Sequence, residues 1–188
     1  MQNNSLYKIV PYSDNIDLTE FYSKALNKGY ENNSSKYWLK DCFNNEELSE
    51  TWILFYNDKA VGSVAAHSFP EMGPNSFRIA ARTCILTDEI PTPSVRTVNQ
   101  IITHQHATGQ FLIPACIEWA GRKNNLYITS NNLEKGSQRL VHTIYFPAMA
   151  KSGQVTKITE LEYRGAIQTV WKVNVDRFYE ELNKFTRW

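Results

Sequence analysis

Net charge is almost absent from this chain. Twenty basic side chains balance nineteen acidic ones over 188 residues, which leaves a formal charge of +1. Proteins that bind nucleic acid or anionic membranes usually carry a strong basic excess, so we predict neither partner. Long apolar runs are missing too, since no stretch approaches the ~20 residues that cross a bilayer. The first residues, MQNNSLYKIV, lack the basic start and apolar run of a signal peptide, and we expect a cytoplasmic protein.

Cysteine is scarce, and its pattern matches no common motif. The three thiols, Cys42, Cys84 and Cys116, are far apart and lie beside apolar residues, which is typical of reduced, buried cysteines. No G-x-S-x-G surrounds a serine nucleophile. His104 and His106 have a spacing that two zinc ligands can use. The other ligands would come from His67, His142, Cys84 or Cys116. A zinc site therefore stays open as an alternative.

What is present indicates one globular domain over residues 1–188. The hydrophobic content of 42% is enough for a packed core. Apolar periodicity switches between two and 3.6 residues and predicts the order β-α-α-β-β-β-α-β-α-β-β-α, with the second helix over residues 34–48. Turn residues at Asn57-Asp58-Lys59 and Arg164-Gly165 predict two hairpins. We expect an α/β (α+β) fold: a mixed, mostly antiparallel central sheet with helices on both faces.

That order resembles the GNAT superfamily of acyl-coenzyme A N-acyltransferases over nearly the whole chain. ILFYNDKAVGSVAAHS (53–68) is similar to the family's second and third strands, FRIAARTCIL (77–86) to its fourth, and SNN (130–132) to the end of its fifth. The chain is also similar to acetyltransferase-like proteins of tailed phages. The resemblance implies transfer of an acyl group from acetyl-CoA, or another acyl-CoA, to a small-molecule or peptide amine by direct attack in a ternary complex. A homodimer is left open.

The resemblance also implies a pyrophosphate site. The family opens the helix after strand four with a Q/R-x-x-G-x-G/A loop, because the N–H groups of a helix start bind anions. The closest match is the segment 106–111, where Gly109 is the first glycine, His106 replaces the polar anchor and Phe111 replaces the second small residue. The implied contacts are His106, Ala107, Thr108, Gly109 and Gln110.

A second implied contact uses the family's fourth strand, which separates from the fifth so that its backbone can pair with the pantetheine arm. The matching residues are Cys84, Ile85 and Leu86, and Asn131 or Asn132 at the end of strand five would add a side-chain contact. The alternative is that the first three are core and the asparagines are turn formers.

The family often uses a tyrosine on the next helix to protonate the departing thiolate. Val141 occupies that position here, and Tyr145, one turn further on the same face, is the candidate acid; a core role is the alternative. Spacing does not choose the base among His67, Glu71, Asp88, Glu89 and solvent.

Two departures from the family pattern affect function. The connection over residues 87–105 is long, and it either shapes an acceptor pocket or covers the coenzyme site. The loop at 106–111 keeps one of the family's three marked positions. A second function therefore stays open, in which the chain is a non-catalytic GNAT-like binding protein that has lost efficient coenzyme binding.

Overall fold

The computed structural model describes residues 6–27, 49–90, 108–131, 144–163 and 165–185. Seven strands make one sheet: β1 (Tyr7–Pro11), β2 (Ser49–Tyr56), β3 (Lys59–Ser68), β4 (Ser76–Ile85), β5 (Asn125–Asn131), β6 (Val155–Tyr163) and β7 (Ala166–Val173). The helices of these ranges are α1 (Thr19–Asn27), α2 (Ile113–Ala120), α3 (Phe146–Lys151) and α4 (Val175–Phe185). None of these helices has the length and apolar character needed to cross a bilayer.

The strand order is β1-β2-β3-β4-β5-β7-β6. The pairs β1–β2, β2–β3, β5–β7 and β6–β7 are antiparallel, and β4–β5 is parallel. The predicted mixed, mostly antiparallel sheet is confirmed, and so is the order of every predicted element in the described ranges. The predicted helix over residues 34–48 lies outside the described residues.

Both predicted hairpins are confirmed. Asn57 and Asp58 have φ values of 48° and 60°, the pair of positive angles that a type I′ turn needs, and they join β2 to β3. Gly165, with φ 76°, lies between β6 and β7. The helix before β6 is described from Ile144 onward, and its α-helical part, α3, ends at Lys151, four residues after Pro147.

The chain forms two compact units, unit 1 over residues 1–67 and 80–119 and unit 2 over residues 68–79 and 120–188. In unit 1, α1 packs the side chains of its buried face onto Ile53 of β2. The neighbouring Trp52 makes an edge-on contact with Trp119 of α2, with ring centroids 6.0 Å apart. Successive strand residues point to opposite faces, so α1 and α2 cover the two faces of this part of the sheet, as predicted.

Unit 2 has a core of its own on β5 and β7. Tyr127 and Val170 pack there with Phe69 and Tyr163. On the other face, Trp171 stacks on Phe146 of α3 with ring centroids 5.4 Å apart. The Trp171 indole N–H donates a hydrogen bond to the Ser130 hydroxyl at 3.0 Å, so the polar atom of this buried ring is satisfied.

Candidate coenzyme site

The end of β4 carries three of the predicted contacts. Cys84, Ile85 and Leu86 are exposed by only 0%, 2% and 1%. Cys84 and Leu86 belong to the core cluster under α1. These side chains are core residues, and the contact that the resemblance implies uses their backbone groups, which burial of the side chains does not test.

The backbone direction distinguishes these three residues. The Leu86 N–H donates to the Val61 carbonyl of β3 at 2.8 Å. The Leu86 carbonyl accepts from the Glu89 N–H at 3.0 Å, so it is the Leu86 N–H that faces β3. Backbone polar groups of successive strand residues point to opposite edges, and this implies that the Ile85 N–H and C=O face the other edge. The parallel pairing of β4 with β5 covers Ser76–Arg78, well before Ile85. Ile85 is thus the residue of this trio whose N–H and C=O are directed away from β3.

Gly62 explains how β3 and β4 lie so close at this point. A Cβ atom at Gly62 would lie 2.8 Å from Ile85 Cδ1 and 3.2 Å from the Cys84 carbonyl oxygen. Distances below 3.0 Å are not accommodated without movement, so a larger residue would push Ile85 away. The V-G pair that resembles the family's third strand therefore positions the backbone edge at Ile85.

β4 also contains a backbone irregularity at Ala80 that the sequence does not predict. Ala80 has a φ of 54°, and the Thr83 hydroxyl donates to the Ala80 carbonyl at 2.7 Å. Ile79 and Ala81 are buried on either side of Ala80, in the alternating pattern of a strand. From Cys84 onward, three successive residues are buried. The alternation that is blurred in the sequence is broken here by the backbone itself.

The predicted pyrophosphate loop is partly described. Residues Thr108–Leu112 form a π-helical turn that runs directly into α2. The described part of the loop contributes the N–H groups of Thr108, Gly109, Gln110 and Phe111, and the residues that precede them lie outside the described ranges. Gly109 and Gln110 are partly buried. His106 and Ala107 lie outside the described residues.

Phe111, which replaces the family's second small residue, has a packing partner. Its ring stacks on Tyr7 of β1 with centroids 4.7 Å apart and planes 23° apart. Tyr7 in turn lies 4.8 Å from the Tyr56 ring. Burial, and then the nearby Tyr56, raise the pKa of Tyr7 to about 12. The large side chain at 111 therefore attaches the π-turn to the sheet.

The remaining described candidates belong to unit 2. Tyr145 is exposed by only 8% and immediately precedes α3, with helical angles of φ −68° and ψ −60°. Asn131 is the last residue of β5 and pairs with Gln168 of β7. Asn132 lies outside the described ranges. The burial of Tyr145 is compatible with the core alternative and with a proton donor in a dry site.

The candidate bases differ in environment. His67 is buried, whereas Asp88 is exposed. Glu89 forms an ion pair with Lys24, with Oε1 and Nζ 2.7 Å apart. Glu71 lies in a short turn at Pro70–Met72. The described residues do not show which of these groups is the general base.

Thiol chemistry is disfavoured at Cys116. Burial raises its pKa to about 12, so the thiol keeps its proton at neutral pH. Zinc ions bind cysteine in its thiolate form. Among the residues that the structure describes, no group of three or more histidine, cysteine or acidic side chains is arranged to hold a metal ion. His104 and His106 lie outside them, as does most of the 87–105 connection.

Comparison with known proteins identifies the fold. No protein-family model matches the chain, and no curated protein shows significant sequence similarity to it. Solved structures do match. A probable acetyltransferase from Staphylococcus epidermidis is 12% identical, with a TM-score of 0.54 over 89% of this chain and 97% of that one. An acetyltransferase from Streptococcus agalactiae is 11% identical, with a TM-score of 0.52 over 89% and 98%.

The chain has the GNAT fold. The fold family predicted from element order is confirmed. In the GNAT fold of this chain, the Ile85 backbone edge and the π-turn at Thr108–Leu112 both belong to unit 1. The similarity to proteins of tailed phages stays a prediction.

Proposed function

We propose that this GNAT-fold protein is an acyl-CoA-dependent N-acyltransferase that moves an acetyl group from acetyl-CoA to a small-molecule or peptide amine in the cytoplasm. The observation that carries the proposal is the hydrogen bond from the Leu86 N–H to the Val61 carbonyl. It implies that the Ile85 N–H and C=O point away from β3, at a place beyond the β4–β5 pairing. A strand edge of this kind binds an extended, amide-containing chain by backbone hydrogen bonds, and the pantetheine arm is such a chain.

The start of α2 supports the same proposal. Its first N–H groups, together with the positive end of the helix dipole, favour a bound pyrophosphate. Phe111 does not contradict this, because its ring is held by Tyr7. We assign the phosphate contacts to the loop from His106 to Gln110 and the pantetheine contact to Ile85, with Cys84 and Leu86 holding that strand in place. Asn131 and Asn132 are proposed side-chain contacts at the end of β5.

The reaction needs no covalent enzyme intermediate. A neutral amine nitrogen attacks the thioester carbonyl carbon, the C–N bond forms, and the C–S bond breaks with its electron pair on sulfur. The nitrogen loses a proton to solvent or to one of the carboxylates or His67, and Tyr145 is proposed to protonate the sulfur.

Calorimetry of the full chain with acetyl-CoA tests the proposal. We expect saturable binding with a dissociation constant between about 1 μM and 1 mM, the range in which substrate constants of enzymes usually fall. Bound ligand should also raise the melting temperature with increasing concentration. Absence of both heat and thermal shift at millimolar acetyl-CoA would favour the non-catalytic GNAT-like binding protein.

Tyr145→Phe separates the proposed acid from a purely structural residue. We expect turnover to fall about tenfold. A thiolate is a good leaving group even without protonation, so the loss should be smaller than the usual effect of removing a general acid. The dissociation constant for acetyl-CoA should change by less than about twofold, because the aromatic ring is retained and only its hydroxyl group is lost. Release of coenzyme thiol measures the first quantity and calorimetry the second. Unchanged turnover would remove Tyr145 from the mechanism.

A further inference from the structure

Helix α2 is held to the sheet by an aromatic contact near each of its ends. At its start, the Phe111 ring of the preceding π-turn stacks on Tyr7 of β1, with centroids 4.7 Å apart. Near its last residue, Trp119 meets Trp52 of β2 edge-on, with centroids 6.0 Å apart. Aromatic pairs at such distances stabilise a structure beyond the area that they bury. The two contacts therefore fix the position of both ends of α2.

Both contacts lie on one face of the sheet. Tyr7 pairs with Tyr56 of β2, and Tyr56 shares a face with Trp52, four positions earlier in the same strand. Four residues of a strand extend over about 13 Å. Phe111 and Trp119 are eight positions apart, which corresponds to about 12 Å along a helix. The helical segment thus matches the length of strand beneath it, and each ring has its partner at one end.

Tyr7 is a firm support for Phe111. Its backbone belongs to β1, and next to it the Asn57 N–H donates to the Leu6 carbonyl at 3.0 Å. Its ring also lies against Tyr56, with centroids 4.8 Å apart. Tyr7 is therefore held through its strand and through its side chain, and a ring that stacks on it is held in turn.

Phe111 transmits this support to the N–H groups of the π-turn, which also contains Gly109 and Gln110. Gly109 has no side chain to hold its backbone, so the position of its N–H group depends on the residues that follow it in the turn. Hydrogen bonds to a charged group are strong only when donor and acceptor are well aligned. A shift of the ring at position 111 would therefore disturb an anion bound at this turn.

We propose that Tyr7 positions the π-turn for coenzyme binding through its stack on Phe111. The inference rests on the proposed function, in which the N–H groups of this turn bind the pyrophosphate. Tyr7 is a positioning residue, since it acts on the ligand only through Phe111. The aromatic pair thus gives the large residue at position 111 a function in a loop where the family has a small one.

Calorimetry with acetyl-CoA and variants of the full chain tests the inference. Tyr7→Leu removes the ring, and we expect it to weaken binding about tenfold, the effect of losing one hydrogen bond to a charged group. Phe111→Leu should have the same effect, and the double variant should lose little more, because both substitutions remove one contact. Tyr7→Phe keeps the ring and should change the dissociation constant by less than about twofold.

Salt gives a measurement that a general structural role would not change. Added salt should weaken acetyl-CoA binding to the unmodified chain, because it screens the pyrophosphate charges. The same addition should weaken binding to Tyr7→Leu by a smaller factor, since the pyrophosphate contact is already impaired. An unchanged salt dependence would overturn the inference, and so would an equal loss of affinity in Tyr7→Phe and Tyr7→Leu.

Trp119→Leu is the matched control, since it removes an aromatic ring at the other end of α2. Urea unfolding should show that it loses stability, as Tyr7→Leu does, whereas its affinity for acetyl-CoA should change by less than about twofold. Equal losses of affinity in both variants would mean that affinity follows stability alone, and the inference would be wrong. Phe111→Leu gives the same comparison if Tyr7→Leu does not fold.

The two proposals can fail separately. If the unmodified chain does not bind acetyl-CoA, the proposed function fails, and the assignment of Tyr7 fails with it. If the unmodified chain binds acetyl-CoA, and Tyr7→Leu and Phe111→Leu bind it equally well, only the assignment of Tyr7 fails.

Discussion

Gly109→Asp is expected to weaken acetyl-CoA binding by about a hundredfold. Gly109 lies in the π-turn that opens α2, among the N–H groups assigned to the pyrophosphate. A carboxylate there would face two phosphate charges. At a separation of about 6 Å and an effective dielectric constant of about 40, the repulsion is about 3 kcal/mol, which corresponds to roughly two powers of ten.

The fold should tolerate this change. Negative charge near a helix N-terminus is favourable by about 0.5 kcal/mol, because it faces the positive end of the helix dipole. Stability and coenzyme affinity should therefore move in opposite directions, which a general loss of structure does not produce. Urea unfolding measures the first quantity and calorimetry with acetyl-CoA the second.

Gly109→Asn is the matched control, since asparagine has almost the same shape as aspartate and no charge. We expect it to lose much less affinity than Gly109→Asp, and the difference between the two variants to shrink as salt is added. Equal affinities for the two variants would mean that no anion binds at the start of α2. The pyrophosphate assignment would then be wrong, whatever the role of Ile85.

The parts of the fold that could be predicted are those set by local chemistry. Asn57 and Asp58 tolerate positive φ better than other non-glycine residues, so their hairpin is visible in the sequence. The last helix and the fifth strand belong to the element order that the apolar periodicity predicts. Element order then restricted the topology, because few sheets connect these elements without crossing loops.

The site was harder to predict because its decisive features are long-range. Nothing local says that Phe111 stacks on Tyr7, a residue more than a hundred positions away in the chain. In the sequence, Phe111 is only a departure from the small residue that the family has at this loop position. In the structure, it attaches the turn to β1. Likewise, no residue pattern states which of Cys84, Ile85 and Leu86 faces β3, since this depends on strand register.

The irregularity in β4 shows the same limit. Alanine rarely adopts positive φ, so Ala80 carries no signal for the conformation that it has. The sequence does show that the alternation of apolar residues fails around Ala80 and Cys84. This broken alternation is the sequence signal for the irregularity. It lies in β4, the strand that the family resemblance places next to the coenzyme.

Gly62→Ala is expected to lower the free energy of unfolding by about 2 kcal/mol, the usual cost of placing an extra methyl group in a well-packed core. The new Cβ would lie 2.8 Å from Ile85 Cδ1, the flexible end of a side chain, and 3.2 Å from the backbone oxygen of Cys84. The side chain can turn away, but the carbonyl cannot move without β4. We therefore expect weaker acetyl-CoA binding as well as lower stability.

Ile85→Val separates the two contacts, because valine lacks the Cδ1 atom. Alone it should lower the free energy of unfolding by about 1 kcal/mol. Combined with Gly62→Ala, it should cost about 1 kcal/mol less than the sum of the single variants, since residues in direct contact do not behave additively. Additive losses would show that Cδ1 is not the obstacle. If the double variant shows this non-additive stability but still binds acetyl-CoA as weakly as Gly62→Ala, the remaining defect lies at the Cys84 carbonyl, and the backbone edge at Ile85 depends on the close approach that Gly62 allows.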